Sequence, residues 1–322
     1  MKKRTTLAAA GAASILLLAS LAFGVGKKRK TWVKEYIRKR ISKGAFKIKN
    51  FPDPPKSLLR KHAFEKVDAR GVPGYWLDKE KAQNGVLVYL HGGGYLFGPV
   101  ELQWKYIARL SRLTNQAALV VDYRMAPEHP FPAALEDTVA FLSYLHKSGD
   151  LPPNYTLVGD SAGGGLAVAT TYQLRNQQAP LPQKLLLLSP WLDINLTNPA
   201  SQLTAPKDII LGFDSVQAAA RKYVQNQDPR NPLISPVFSE VAGLPPTLLQ
   251  IGTAEIFLWD SRSFVQKLTD AHVPVQFEEY EDMFHVFPLV PFLPQSRKAL
   301  RSQVAFLTGK SAVTQTEKES VG

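Results

Sequence analysis

Residues Gly159-Asp160-Ser161-Ala162-Gly163 set a serine between two glycines, with the apolar run Tyr155–Val158 before it and the small-residue run Gly164–Thr171 after it. A buried strand, a tight turn and a helix start are the context in which G-x-S-x-G presents a hydroxyl for attack on a carbonyl carbon. Glycine lets the chain turn sharply there and leaves nothing bulky between hydroxyl and carbonyl. A second glycine cluster, His91-Gly92-Gly93-Gly94, lies upstream and also follows an apolar run, Val86–Leu90. Backbone N–H groups of two of these glycines, with that of Ala162, can converge on an oxyanion. His91 is expected to pin that loop rather than act as a base.

A serine hydroxyl is a weak nucleophile near neutral pH and needs an adjacent base. Where the nucleophile sits on a strand–turn–helix elbow, the chain order is nucleophile, acid, histidine. Of the six histidines only His272 and His285 follow Ser161. His272 sits in a turn ahead of the expected strand Val275–Tyr280 and reads as solvated. His285 follows that strand, in a loop able to hang over the serine. For the acid, Glu255 and Asp260 compete just beyond the apolar run Thr247–Ile251. Glu255 lies nearer the strand's carboxyl end and is preferred; Asp260 reads as the N-cap of a helix starting near Ser261. The acid's task is to orient the imidazole and stabilise the imidazolium.

The elements that must position these groups follow from the pattern. Val86–Leu90, Ala117–Tyr123, Tyr155–Gly159, Lys184–Ser189, Thr247–Ile251 and Val275–Tyr280 are short, largely apolar runs separated by longer mixed stretches. Runs of this kind, spaced for crossover helices, predict a mostly parallel sheet covered on both faces. The catalytic domain is expected over 59–308. Two stretches fall outside the alternation and are candidates for a small cap: 27–58, and 196–226 with a helix over Ser215–Val224. Trp32, Tyr36, Ile37, Ile209, Ile210, Leu211 and Phe213 are the apolar side chains there that could line an acyl pocket. Asp122–Pro132 reads as a proline-stiffened support loop, in which Arg124 and Glu128 could pair.

From about Gly85 to Leu307 the chain resembles the hormone-sensitive-lipase-like group of α/β-hydrolases, bacterial carboxylesterases bearing His-Gly-Gly-Gly and Gly-Asp-Ser-Ala-Gly-Gly. Asp122-Tyr123-Arg124-Met125-Ala126-Pro127-Glu128, Ser189-Pro190-Trp191-Leu192-Asp193, Asp228-Pro229 and Ser235-Pro236 carry the resemblance further. It implies an α/β-hydrolase fold with a small helical cap, Ser161 as nucleophile, Glu255 as acid and His285 as base. Gly93, Gly94 and Ala162 would supply the oxyanion donors. It also implies hydrolysis of short- to medium-chain esters with no metal or organic cofactor. One departure stands out: many members read Asp-Pro-Leu at the acid, whereas this chain reads Glu255-Ile256-Phe257. An amidase or deacetylase would use the same parts. A non-catalytic small-molecule receptor on this fold would have lost a triad member, and here all three are present.

The net charge of +12 over 322 residues is unevenly held. Residues 1–50 carry fourteen Lys/Arg and one acid, +13; residues 51–322 carry twenty-five and twenty-six, −1. Nucleic-acid binding is one reading of such a cluster, but its neighbour argues against it. Thr5–Gly26 is twenty-two residues without a charge, flanked by Lys2-Lys3-Arg4 and Lys27-Lys28-Arg29-Lys30. About 20 such residues span a bilayer core. The basic run just beyond favours the cytoplasmic side, so 1–26 is read as an uncleaved anchor, with a cleaved signal peptide as the rival. Thr31–Ile41 has amphipathic helical spacing and suits either the cap or an anionic membrane surface. The chain has no cysteine, which excludes thiol chemistry and disulfides. The tail 309–322 is polar and aperiodic and is expected to be disordered.

Overall fold

The computed structural model of the protein describes residues 50–309. The expectations for 1–49 and 310–322 lie outside the described residues. Elements run in the order α1 (Lys56–Leu59), β1 (Phe64–Ala69), β2 (Val72–Leu77), β3 (Val86–Leu90), α2 (Glu101–Thr114), β4 (Ala117–Val121), α3 (Ala133–Ser148), β5 (Tyr155–Asp160) and α4 (Ala162–Asn176). There follow β6 (Lys184–Leu188), α5 (Pro199–Thr204), α6 (Phe213–Val224), β7 (Thr247–Gly252), α7 (Leu258–Asp270), β8 (Val275–Tyr280) and α8 (Pro294–Thr308).

The eight strands form one sheet in the order β1-β2-β4-β3-β5-β6-β7-β8. From β4 to β8 the neighbours are parallel, while β1–β2 and β2–β4 are antiparallel. Side chains alternate across a strand, and both alternations are apolar here. Val86, Val88 and Leu90 of β3 face the cluster that contains Phe141 and Leu142 of α3 and Leu166 of α4. Leu87 and Tyr89 face Trp104, Ile107 and Leu110 of α2, with Leu300 and Leu307 of α8. A sheet covered on both faces needs apolar residues at every position, so the central strands read as continuous runs rather than as alternations.

The β1–β2 hairpin has no such signature. Phe64-Glu-Lys-Val-Asp-Ala69 is half charged and only partly buried, and β2 carries Pro73 and Gly74. Its one sequence signal is the turn Arg70-Gly71, both at positive φ (59° and 87°), as a two-residue hairpin of the right twist requires.

Arg124 and Glu128, which the sequence allowed either to pair or to be solvated, do not pair. Arg124 instead makes a two-pronged ion pair with Asp137 in α3, with its Nη2 2.7 Å from Oδ1 and its Nε 2.9 Å from Oδ2, while Glu128 is exposed. The helix following the loop turns Asp137 back toward Arg124, whereas Glu128 projects outward. Among the described residues no helix is long and apolar enough to cross a membrane.

Candidate active site

Strand β3 lies between β4 and β5, so the chain's connections diverge on either side of it. Crevices form at the carboxyl edge of such a switch point. The register pairs Leu90 with Gly159, which brings the glycine loop after β3 beside the serine turn after β5. Ser161 has φ 54° and ψ −123°, a conformation L residues rarely adopt and a store of backbone strain. The chain holds it there through Ser161 N–H to the Leu188 carbonyl and Trp191 N–H to the Ser161 carbonyl, both 2.9 Å. A Cβ on Gly163 would lie 2.0 Å from the Leu90 carbonyl oxygen, so only glycine lets α4 start this close to β3.

Three side chains from three carboxyl-end loops meet in line. Ser161 Oγ is 2.9 Å from His285 Nε2, and His285 Nδ1 is 2.9 Å from Glu255 Oε2. A carboxylate can only accept, so Nδ1 carries the proton and Nε2 is free to accept from the serine hydroxyl. The other Glu255 oxygen accepts from Ser189 Oγ (2.7 Å) and from the Gly252 N–H (2.6 Å). Ser189 Oγ in turn accepts the Val286 N–H at 3.1 Å, tying the acid to the loop that carries the histidine. Burial pushes the Glu255 carboxyl up, opposed by its bond to His285. Burial alone would lower His285, but the Glu255 bond and charge, with Asp208 and Asp160, more than offset it and hold the imidazole above its ordinary value.

The rival residues fall elsewhere. His272 is exposed in the turn between α7 and β8, at the amino edge of the sheet. Asp260 is not an N-cap: α7 begins at Leu258 with Phe257 as its cap. It is buried in the first turn, and desolvation with the Asp193 charge pushes its carboxyl up to about 8.

The glycine loop is braced from below. Asp160 accepts the Gly92 N–H (3.0 Å), Gln103 Nε2 (3.0 Å) and the Tyr89 hydroxyl. His91 stacks on Tyr123 at 4.4 Å and donates Nδ1–H to the Gly92 carbonyl. Burial pushes its imidazole down to about 4, so it stays neutral and serves as a pin. The N–H groups of Gly93, Gly94 and Ala162 have no hydrogen-bond partner among the described residues, and Gly93, Gly94 and Ser161 line one cavity.

That cavity holds about 340 Å³, and its lining, which includes Ser161 and His285, is mostly apolar. Leu102 and Leu289 line it, as do Ile210, Leu211, Val216 and Ala219 from the 196–226 stretch. Of the side chains expected to line it, Ile210 and Leu211 do so. Ile209 packs instead in a cluster with Met283 and Phe284 of the histidine loop, and Phe213 packs against the main core. Trp32, Tyr36 and Ile37 lie outside the described residues. The residues not anticipated for this site are Ser189, Gln103 and Asp208, and Asp160 had no role assigned. Among the described residues no group of three or more His, Asp or Glu side chains is placed to hold a metal ion.

A serine on a strained strand-to-helix turn, with a histidine over it and glycine N–H groups beside it on a doubly wound sheet, defines the α/β-hydrolase class. The sequence profile of the alpha/beta hydrolase fold matches residues 87–289. An acetyl-hydrolase of Streptomyces hygroscopicus is 38% identical over 233 residues, 72% of this chain and 78% of that protein. An esterase of Acinetobacter venetianus is 31% identical over 260 residues, 80% of this chain and 84% of that one. Among solved structures, an esterase from the bacterial hormone-sensitive lipase family is 31% identical with a TM-score of 0.75, covering 96% of this chain and 99% of its own. The chain belongs to the α/β-hydrolases, in their hormone-sensitive-lipase-like group.

Proposed function

We propose that the chain is a serine carboxylesterase acting on short- to medium-chain esters through an acyl-enzyme. The observation that carries this reading is the Ser161–His285–Glu255 line at 2.9 Å per link, opening onto an apolar cavity. Ser161 Oγ attacks the ester carbonyl as His285 Nε2 takes its proton. The oxygen that becomes anionic accepts from the N–H groups of Gly93, Gly94 and Ala162. His285 then gives the proton to the departing alkoxide, leaving the acyl group on Ser161. Water repeats the sequence, and the carboxylic acid leaves. Glu255 stays ionised throughout and holds the imidazole's tautomer.

A 340 Å³ cavity is at the small end of ligand pockets, about 300–1,000 Å³, which supports a short acyl chain; the relatives' names, acetyl-hydrolase and esterase, point the same way. The 196–226 stretch acts as cap. The amino-terminal 26 residues anchor the protein, a reading supported by the uncharged stretch and the segregated basic charge. A p-nitrophenyl ester series from acetate to palmitate, with Ser161→Ala as control, tests both parts. Activity is expected to peak at short to medium chains and vanish in the control, and the full chain, unlike residues 27–322, should sediment with liposomes. A peak at palmitate, or faster turnover of the matched anilides than of the esters, would overturn the substrate assignment. Co-sedimentation of both forms would overturn the anchor.

Attack requires neutral His285, and its neighbours hold it above the ordinary 6.5. So kcat/KM is expected to rise with pH through a midpoint above 6.5. Glu255→Gln removes the main raising influence: the midpoint falls, and kcat falls by about 10⁴-fold as the tautomer is lost. A pH–rate profile unchanged in Glu255→Gln would exclude Glu255 as the acid.

A further inference from the structure

Asp208 is a buried carboxylate in the loop between α5 and α6, and the reaction sequence above gives it no part. Its Oδ1 accepts the N–H groups of Ile210 and Leu211, both at 2.9 Å. Its Oδ2 accepts the N–H of Ile256 at 3.0 Å. Ile210 and Leu211 line the cavity that Ser161 opens onto, and Ile256 is the residue directly after Glu255. One carboxylate therefore joins two cavity-lining residues to the loop that carries the acid. The need for it is visible in the sequence. A proline after the acid has no N–H, but Ile256 has one, and a buried N–H must find an acceptor. Asp208 supplies that acceptor from a segment 48 residues away.

We propose that Asp208 is a positioning residue for ester hydrolysis, fixing the Glu255 loop and the Ile210–Leu211 segment in one register relative to Ser161. The inference rests on the esterase reading. Electrostatics act in the same direction. The carboxylates facing His285 are Glu255, Asp208 and Asp160, and all three favour the imidazolium. Asp208 is itself pushed up by burial, while the charge of His285 and its three N–H donors oppose that shift.

Asp208→Asn keeps the size but leaves one acceptor oxygen for three N–H groups on two loops, and it removes the charge. Its kcat/KM on a p-nitrophenyl ester is expected to fall about 100-fold, the scale of an ångström-level misplacement. The fall should be mostly in kcat, with the acid limb of the pH profile moved to lower pH. Asp208→Glu keeps the charge and displaces the oxygens, so its kcat should fall while the acid limb stays where the native protein has it. A purely structural role would lower the melting temperature and leave both limbs unmoved. Native activity lost in Ser161→Ala, with unchanged kcat and pH profile in a folded Asp208→Asn or Asp208→Glu, would overturn the inference and leave the esterase reading intact. A native chain inactive on every ester would remove that reading and this inference with it.

Discussion

Ser161→Ala and His285→Ala are each expected to lower kcat on a p-nitrophenyl ester by on the order of 10⁶-fold, and the double variant should fall no further. The reason is that the two side chains act as one device. Ser161 Oγ is reactive only while its proton passes to Nε2, 2.9 Å away, and Nε2 has nothing to accept without that hydroxyl. Removing either ends the covalent route, so removing the second costs nothing more. What survives comes from the oxyanion donors and the cavity, which neither substitution touches. Steady-state kinetics on the three variants check this. Losses that multiply would mean that serine and histidine act independently, and would contradict the proposed acyl-enzyme.

The second large effect concerns a donor that side-chain deletion cannot reach. Gly93 has φ +132°, and a Cβ built there would sit 1.8 Å from the Phe97 carbonyl oxygen. Gly93→Ala must therefore move backbone, carrying the N–H groups of residues 93 and 94 away from the oxyanion position. Each lost donor costs about 100- to 1000-fold, so kcat/KM is expected to fall at least 100-fold. Gly94→Ala is the internal comparison. Its φ is +63° and the nearest atom to a new Cβ is Ala219 Cβ at 3.6 Å. There is room there, so the cost is conformational, about 1–2 kcal/mol for a left-handed L residue. Its loss should show mainly in the melting temperature. Equal kinetic losses in the two variants would argue that the loop does not supply the donors.

The central strands and the meeting of Ser161, Glu255 and His285 were legible in the chain for one reason. A sheet covered on both faces leaves uninterrupted apolar runs, and each site residue lies within a few positions of a run's carboxyl end. β1, at the sheet's edge, buries too little to leave such a run, and in the well-buried β2 Pro73 and Gly74 interrupt it. The bracing groups were hidden for a different reason. Ser189 reaches Glu255 across 66 residues, and Gln103 reaches Asp160 across 57. A single polar residue inside an apolar or loop segment carries no sign of its distant partner. The departure at Ile256 was visible in the sequence, but its consequence needed the loop that brings Asp208 to it. Arg124 is a related case: Glu128, four positions away, was one possible partner, yet Asp137 on the following helix is the one that pairs with it.

The most direct test of the acyl-enzyme is covalent capture. The native protein would be treated with a fluorophosphonate ester, its intact mass measured, and the adduct located by peptide mapping. One adduct per chain is expected, on Ser161, absent from Ser161→Ala and formed far more slowly in His285→Ala. An adduct on another residue, or hydrolysis that survives full modification of Ser161, would contradict the assignment of Ser161 as the nucleophile.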